Sequence, residues 1–235
     1  MVVPLERLRA EVVLFLTNDP RGWAKPNLDR ALPSLRALNI RSHVVACDVF
    51  DAPSVVNAIG GTVQSVPDHD FFVNVSTGSA PADVGGSMAS MFYPVQPYYQ
   101  PLEYEERLGR QKVEYDLKGE VRFLPTFNAP PMLSGDVLLL NFIMKSGVPL
   151  RKMNLMEELE SAGVIAPKPP RKRVTRQALH AQTDVMLARL ERLGFVRIHD
   201  RGKRLRIEIT ELGRGGARMF DHLLHPFQPL ELLTS

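Results

Sequence analysis

At 235 residues and 44% hydrophobic, the chain is long for one average domain and too apolar to be disordered, so two domains of about 100–130 residues are expected. No apolar run approaches the ~20 residues that span a bilayer, and the start (MVVPLERLRAEVVLFLTN) lacks an export signal's cleavage site. The single cysteine, Cys47, makes no internal disulfide and the six histidines have no metal-ligand spacing, so no metal is expected and a reducing cytoplasm is the expected setting.

The net charge of +3 divides unevenly: residues 1–132 carry −3, residues 133–222 carry +7 and the last 13 carry −1. Basic charge gathered in one half is what a polyanion-binding domain requires, although a solvated basic surface gives the same balance.

In chain order the first half alternates periods. Glu11–Leu16 (EVVLFL) reads as a buried strand, and Pro26-Asn27 opens a helix with Leu28, Leu32, Leu35 and Leu38 at helical spacing. Ser42–Cys47 is a second strand. Asp51 and Pro53 are a cap and first-turn proline for a helix to about Ser65, with Val55, Val56, Ile59 and Val63 inward. Phe71–Val75 is a third strand, Pro81 to about Phe92 a third helix, and Val95–Tyr99 a fourth strand that Pro97 pushes towards a sheet edge. Strands alternating with helices imply right-handed β-α-β units and a parallel sheet. The expected domains are therefore an α/β domain over residues 1–104, a β-hairpin about Lys118-Gly119 with a linker over 105–132, and a helical domain over 133–222.

That last domain reads as a buried helix (Asp136–Lys145), a helix over Leu150–Glu160 with Met153, Met156 and Leu159 on one side, and a long helix over about Thr175–Leu193. The long helix has Leu179, Thr183, Met186, Leu187 and Leu190 as its core stripe. A hairpin follows (Phe195–His199 and Leu205–Ile209), and then a helix capped by Thr210. Helix, helix, helix, hairpin and helix is the order of a winged helix-turn-helix, and GFVRIHDRGKRLRIEITELG resembles the end of bacterial and archaeal winged-helix regulators. Arg201, Lys203 and Arg204 sit at the wing turn, where long cations reach a phosphate backbone. Arg171, Lys172 and Arg173 lead into the long helix, which offers Arg176, Gln177 and His180 to base edges. Double-stranded DNA is the expected partner; a winged helix used only for protein contacts is the alternative.

The most informative short segment is FFVNVSTGSAP (Phe71–Pro81). A buried strand ends in Asn74, Val75, Ser76, Thr77, Gly78 and Ser79, and a helix starts at once. Unpaired N–H groups, hydroxyls and a glycine converge where a doubly wound sheet opens its ligand crevice. A tight turn that binds nothing has the same composition. The strand-NVSTG-helix pattern, followed by Pro97, Tyr98, Tyr99, Glu103 and Tyr104, resembles the CARF domain, the Rossmann-like sensor of CRISPR-associated proteins. In particular it resembles the archaeal CARF–winged-helix transcriptional regulators.

The resemblance implies a cytoplasmic homodimer whose sensor binds a cyclic oligoadenylate as effector, with no other cofactor. Asn74, Ser76, Thr77, Gly78 and Ser79 would line that site, and Thr17, Asn18 and Asp19 would stand beside it. Two departures from the family are visible. The chain starts inside what would be the first helix, so either the start lies further upstream or an element has been lost. Ser79 and Ala80 also stand where the family often has a cation.

The expected function is a ligand-responsive transcriptional regulator and not an enzyme. A ring nuclease cleaving its cyclic ligand, or a constitutive DNA-binding dimer, are the alternatives.

Overall fold

The computed structural model describes residues 2–76, 78–101, 103–104, 115–116, 121–130, 132–146, 150, 152–165, 176–200 and 206–225. The chain separates after Pro130 into two compact units.

In the first unit α1 (Val2–Arg7) leads to β1 (Val12–Thr17), which pairs in parallel with β2 (Arg41–Ala46) from Val12↔Arg41 to Thr17↔Ala46. Between them runs α2 (Lys25–Ala37). Its buried stripe is Leu28, Ala31 and Leu35, while Leu38 stands exposed at its end. The start of α3 (Ala52–Ser65) follows its sequence: Asp51 is extended, its carboxylate accepts the Ser54 N–H at 3.2 Å, and Pro53 fills the first turn, where a missing N–H is harmless. Val55, Val56, Ile59 and Val63 are buried as their spacing requires.

After α3 come β3 (Phe71–Asn74), α4 (Ala80–Ala89) and β4 (Val95–Tyr99), with β3 and β4 again parallel. α4 lies close against α3: a Cβ on Gly85 would stand 2.8 Å from the Ala52 carbonyl oxygen. Pro97 does not place β4 at an edge, because β7 (Arg122–Phe123) pairs antiparallel on its far side. That ladder covers only Tyr98 and Tyr99. The Pro97 carbonyl accepts the Leu124 N–H at 2.9 Å, so the proline's missing donor points to the side where pairing is shortest. The hairpin expected about Lys118-Gly119, with Val113–Asp116 and Val121–Phe123 as its arms, is not the pairing found: Tyr115–Asp116 (β6) pairs with Glu103–Tyr104 (β5). The Phe72 and Phe123 rings, 6.1 Å apart, help to hold β7 at β4, and Lys118-Gly119 lies outside the described residues.

Both strand pairs rest on one apolar layer. Val45, Cys47, Val49, Val55, Ile59, Val63, Ala89 and Val95 are buried together, with Leu14, Leu16, Phe71 and Val73 packed against them. No ladder joins β1–β2 to β3–β4–β7 among the described residues. Parallel β-α-β pairing is present, and the four strand ends that carry the loops after Thr17, Ala46, Asn74 and Tyr99 are carboxyl ends.

The second unit runs α5 (Ser134–Ser146), α6 (Lys152–Ser161), α7 (Arg176–Arg192), β8 (Val196–Asp200), β9 (Arg206–Ile209) and α8 (Glu211–Met219), closed by a short 3-10 turn at Asp221–Leu223. β8 and β9 form an antiparallel hairpin. The inward stripe of α6 is Leu155, Met156 and Leu159, not Met153, which is 44% exposed in its first turn. α7 buries Leu179, Thr183, Leu187 and Leu190, and Gly194 ends it at φ +75.

Asp136 stitches α5 to α7. Almost fully buried, its carboxylate accepts the Leu133 N–H at 3.2 Å and faces the Arg189 guanidinium at 3.4 Å. Burial raises its pKa, while that hydrogen bond and the guanidinium oppose the rise.

His222 is also buried, and desolvation lowers its pKa from 6.5 to about 4, with Asp221 opposing. A depressed imidazole is neutral in the fold yet takes up a proton in the unfolded chain. Its stabilising contribution is therefore complete above pH 6.5 and is lost as pH falls from 6.5 towards about 4. Thermal melts across that window should show the second unit weakening with acid, and His222→Gln should flatten the trend. An unchanged trend in that variant would assign the acid sensitivity elsewhere.

Candidate functional site

At the carboxyl end of β3 the chain turns sharply, and its polar groups hold the turn. The Asn74 side-chain oxygen accepts the Ser76 N–H at 2.9 Å, and the Ser76 hydroxyl accepts the Gln100 N–H at 2.7 Å. The Ser79 hydroxyl caps α4 by accepting the Ala82 N–H at 3.2 Å and donates to the Val49 carbonyl, tying this turn to the loop after β2. The Gly78 N–H donates to Asp83 in the first turn of α4. Burial raises the Asp83 pKa, with that hydrogen bond opposing. Thr17, at the end of β1, is 3% exposed and its hydroxyl accepts the Asp19 N–H at 3.2 Å, whereas Asn18 is exposed. Thr77 lies outside the described residues.

Ser79 is therefore a structural cap. Ser79→Ala should destabilise the first unit by about 1–2 kcal/mol with no ligand present, through the lost cap and the bond to Val49. A melting temperature equal to that of the parent would show the hydroxyl to be spare.

Beside the turn lies a cavity of about 790 Å³, within the range of small-molecule sites. Ser76, Asp83, Ser87, Ser90, Tyr99 and Gln100 supply its polar groups. Val84, Met88, Met91, Leu124 and Phe127 make most of its wall. Among the described residues no lysine, arginine or histidine lines it, so by itself it suits an uncharged, partly apolar group better than a phosphate. Sequence reasoning missed this wall, because the helix over Pro81–Phe92 drew no side chain out as a pocket residue and Phe127 fell in the expected linker.

Burial, aided by Asp48, pushes the Cys47 thiol up to about 11, and His69 is exposed in a loop. Among the described residues no group of three or more histidine, cysteine, aspartate or glutamate side chains is placed to hold a metal ion, and no helix is long and apolar enough to cross a membrane.

In the second unit α7 presents Arg176 and Gln177 to solvent in its first turn, with His180 half-buried beside them. The Arg176 guanidinium donates to the Met153 sulfur at 3.5 Å. Asp184, the acid on this face, is paired by Lys152 from α6 at 2.5 Å. On the hairpin, Glu208 lies 3.0 Å from His199 and 3.9 Å from Arg197. The His199 hydrogen bond, with the nearby arginines, holds the Glu208 carboxyl below its usual range. Arg197 and Arg206 thus add wing cations that the sequence pattern does not single out. Arg171, Lys172, Arg173, Arg201, Lys203 and Arg204 lie outside the described residues.

Residues 1–104 match the family model described as "HFX_2341_N:-like, N-terminal", and residues 136–221 match the model of the DUF6293 C-terminal winged helix domain. No curated protein matches the chain. Among solved structures it is similar to Can2 from Sulfobacillus thermosulfidooxidans in complex with cyclic tetra-adenylate, at 12% identity and a TM-score of 0.38, over 93% of this chain and 58% of that one. The chain thus spans less than two thirds of that protein, and the likeness is too distant to carry fold or function across. The element order and the family match agree on the second unit: residues 136–221 form a winged-helix domain of the DUF6293 type, behind a domain matching the HFX_2341_N:-like N-terminal model.

Proposed function

We propose that the chain is a transcription regulator of the cytoplasm, whose winged-helix unit grips double-stranded DNA and whose α/β unit senses a nucleotide effector. The observation that carries the DNA half is a winged-helix domain in the stretch with a net charge of +7, its cations gathered before α7 and at the wing turn. In this reading Arg201, Lys203 and Arg204 hold phosphates, and the first turns of α7 approach base edges. A homodimer would set two such units on half-sites about 34 Å, or a multiple, apart.

The effector half rests on the Asn74–Ser79 turn at a strand carboxyl end, on the cavity beside it and on the resemblance of that turn to CARF sensors, whose effectors are cyclic oligoadenylates. With no cation in the described cavity wall, the groups held there are bases or riboses, and the phosphates are met elsewhere. A constitutive DNA-binding dimer is the second reading. It is favoured by the Asn74 side-chain oxygen and the hydroxyls of Ser76 and Ser79 being engaged within the fold. Ring cleavage has less support, since the described residues of the turn include no lysine, arginine or histidine to meet developing charge.

One titration separates these readings. The purified chain is mixed with cyclic tetra- or hexa-adenylate, with and without duplex DNA, while melting temperature and ligand integrity are followed. A raised melting temperature with intact ligand supports the sensor, breakdown supports the enzyme, and neither supports the constitutive dimer.

A further inference from the structure

Two aromatic rings stand outside the core at the strand carboxyl ends and have no role in the fold described above. Trp23, in the loop after β1, is 53% exposed, and Phe50, in the loop after β2, is 60% exposed. Their centroids are 6.0 Å apart and their planes tilted by 50°. Neither belongs to the buried cluster beneath the sheet.

Both loops are held firmly. The Asp19 carboxylate accepts the Gly22 N–H at 2.7 Å and the Trp23 N–H at 3.3 Å, and it fills the space where a Cβ on Gly22 would lie, 1.9 Å from its oxygen. Asp48 accepts the Phe50 N–H at 3.0 Å, and the Asp48 N–H donates to Ser54 at 3.0 Å. The platform also adjoins the candidate site, because the Ser79 hydroxyl donates to the carbonyl of Val49, next to Phe50. Exposed Arg21 lies in the same loop as Trp23.

We infer that Trp23 and Phe50 form a stacking surface for a purine base of the nucleotide effector, at the edge of the crevice opened by the Asn74–Ser79 turn. The chemistry fits a base better than a bare phosphate. An aromatic face stacks on any π system, carboxylates of Asp48 and Asp51 nearby disfavour a naked anion, and loops fixed in advance reduce the ordering cost of binding. The inference rests on the nucleotide-sensing reading and adds to it the residues that hold the base.

Trp23 is the sole tryptophan, so its emission reports on its own ring. The whole chain is titrated with cyclic tetra-adenylate and with cyclic hexa-adenylate, by calorimetry and by tryptophan emission. The expected result is quenching that tracks the heat, with affinity falling about tenfold in Trp23→Ala and in Phe50→Ala and largely restored in Trp23→Phe. Melting curves of the variants confirm that they remain folded.

Heat without quenching, and with parental affinity in both alanine variants, overturns the stacking surface while leaving the sensor reading intact. No heat with either ligand removes the sensor reading and this inference together. Emission that changes with protein concentration alone shows that a second copy covers the rings, which also overturns it.

Discussion

Gly213→Ala is expected to cost the winged-helix unit at least about 3 kcal/mol, which for a unit of this size lowers its melting temperature by more than about 12 °C. A Cβ at this position would lie 2.0 Å from the Phe195 carbonyl oxygen and 2.9 Å from its carbon. Those atoms cannot retreat alone. The same carbonyl accepts the Thr210 N–H at 3.1 Å, and the Thr210 hydroxyl bonds the Gly194 carbonyl at 2.7 Å while capping α8 through the Gly213 N–H at 3.0 Å. One small junction therefore fastens the end of α7, the start of β8 and the head of α8. Gly216→Ala is the control, because its Cβ would meet only the edge of the Phe195 ring at 3.3 Å and should cost far less. Circular-dichroism melts of the two variants decide the matter. Equal melting temperatures would contradict the packing described.

The second large effect is on binding. Replacing Arg201, Lys203 and Arg204 together with alanine should weaken affinity for duplex DNA whatever its sequence, by about tenfold or more at low salt. It should also flatten the dependence of log K on log salt by about 0.9 for each phosphate no longer neutralised. By contrast, Gln177→Ala should leave that slope unchanged and alter preference among sequences, because a neutral side chain reads base edges without displacing counterions. Fluorescence anisotropy at several salt concentrations on a random duplex measures the slopes, and the same titration on duplexes of different defined sequence measures the preference. An unaltered slope in the triple variant would remove the wing cations from the interface.

Much of the fold was legible because local chemistry and global packing agree in this chain. Asp51 with Pro53, Thr210 and Gly194 each mark a helix end by a mechanism confined to a few residues, and each is found at the end it marks. Alternation of β-branched runs with helical stripes pointed to β1 to β4 and their parallel pairing. What could not be read are the pairings chosen by distant partners. β7 joins β4 rather than β6, a long-range pairing that no local signal encodes. Pro97 read as an edge marker, but a two-residue ladder beside it leaves its missing N–H without consequence.

The candidate site was half legible. The run Asn74–Ser79 announced a turn at a strand end. Composition does not say whether a hydroxyl faces a ligand or its own backbone, and Ser76 and Ser79 are turned to the backbone. Trp23 and Phe50 were invisible as a pair because they are distant in sequence and meet only when β1 and β2 align. The cavity wall was hidden because Phe127 and Leu124 meet Val84, Met88 and Met91 only once β7 has paired with β4.

The most direct test is a salt titration of the whole folded chain on a random-sequence duplex, from about 50 to 200 mM monovalent salt. If six or so cations of the winged-helix unit meet phosphates, affinity falls with a log–log slope of about −5. A folded chain that binds no duplex at the low-salt end, or binds it with a slope near zero, would contradict the account.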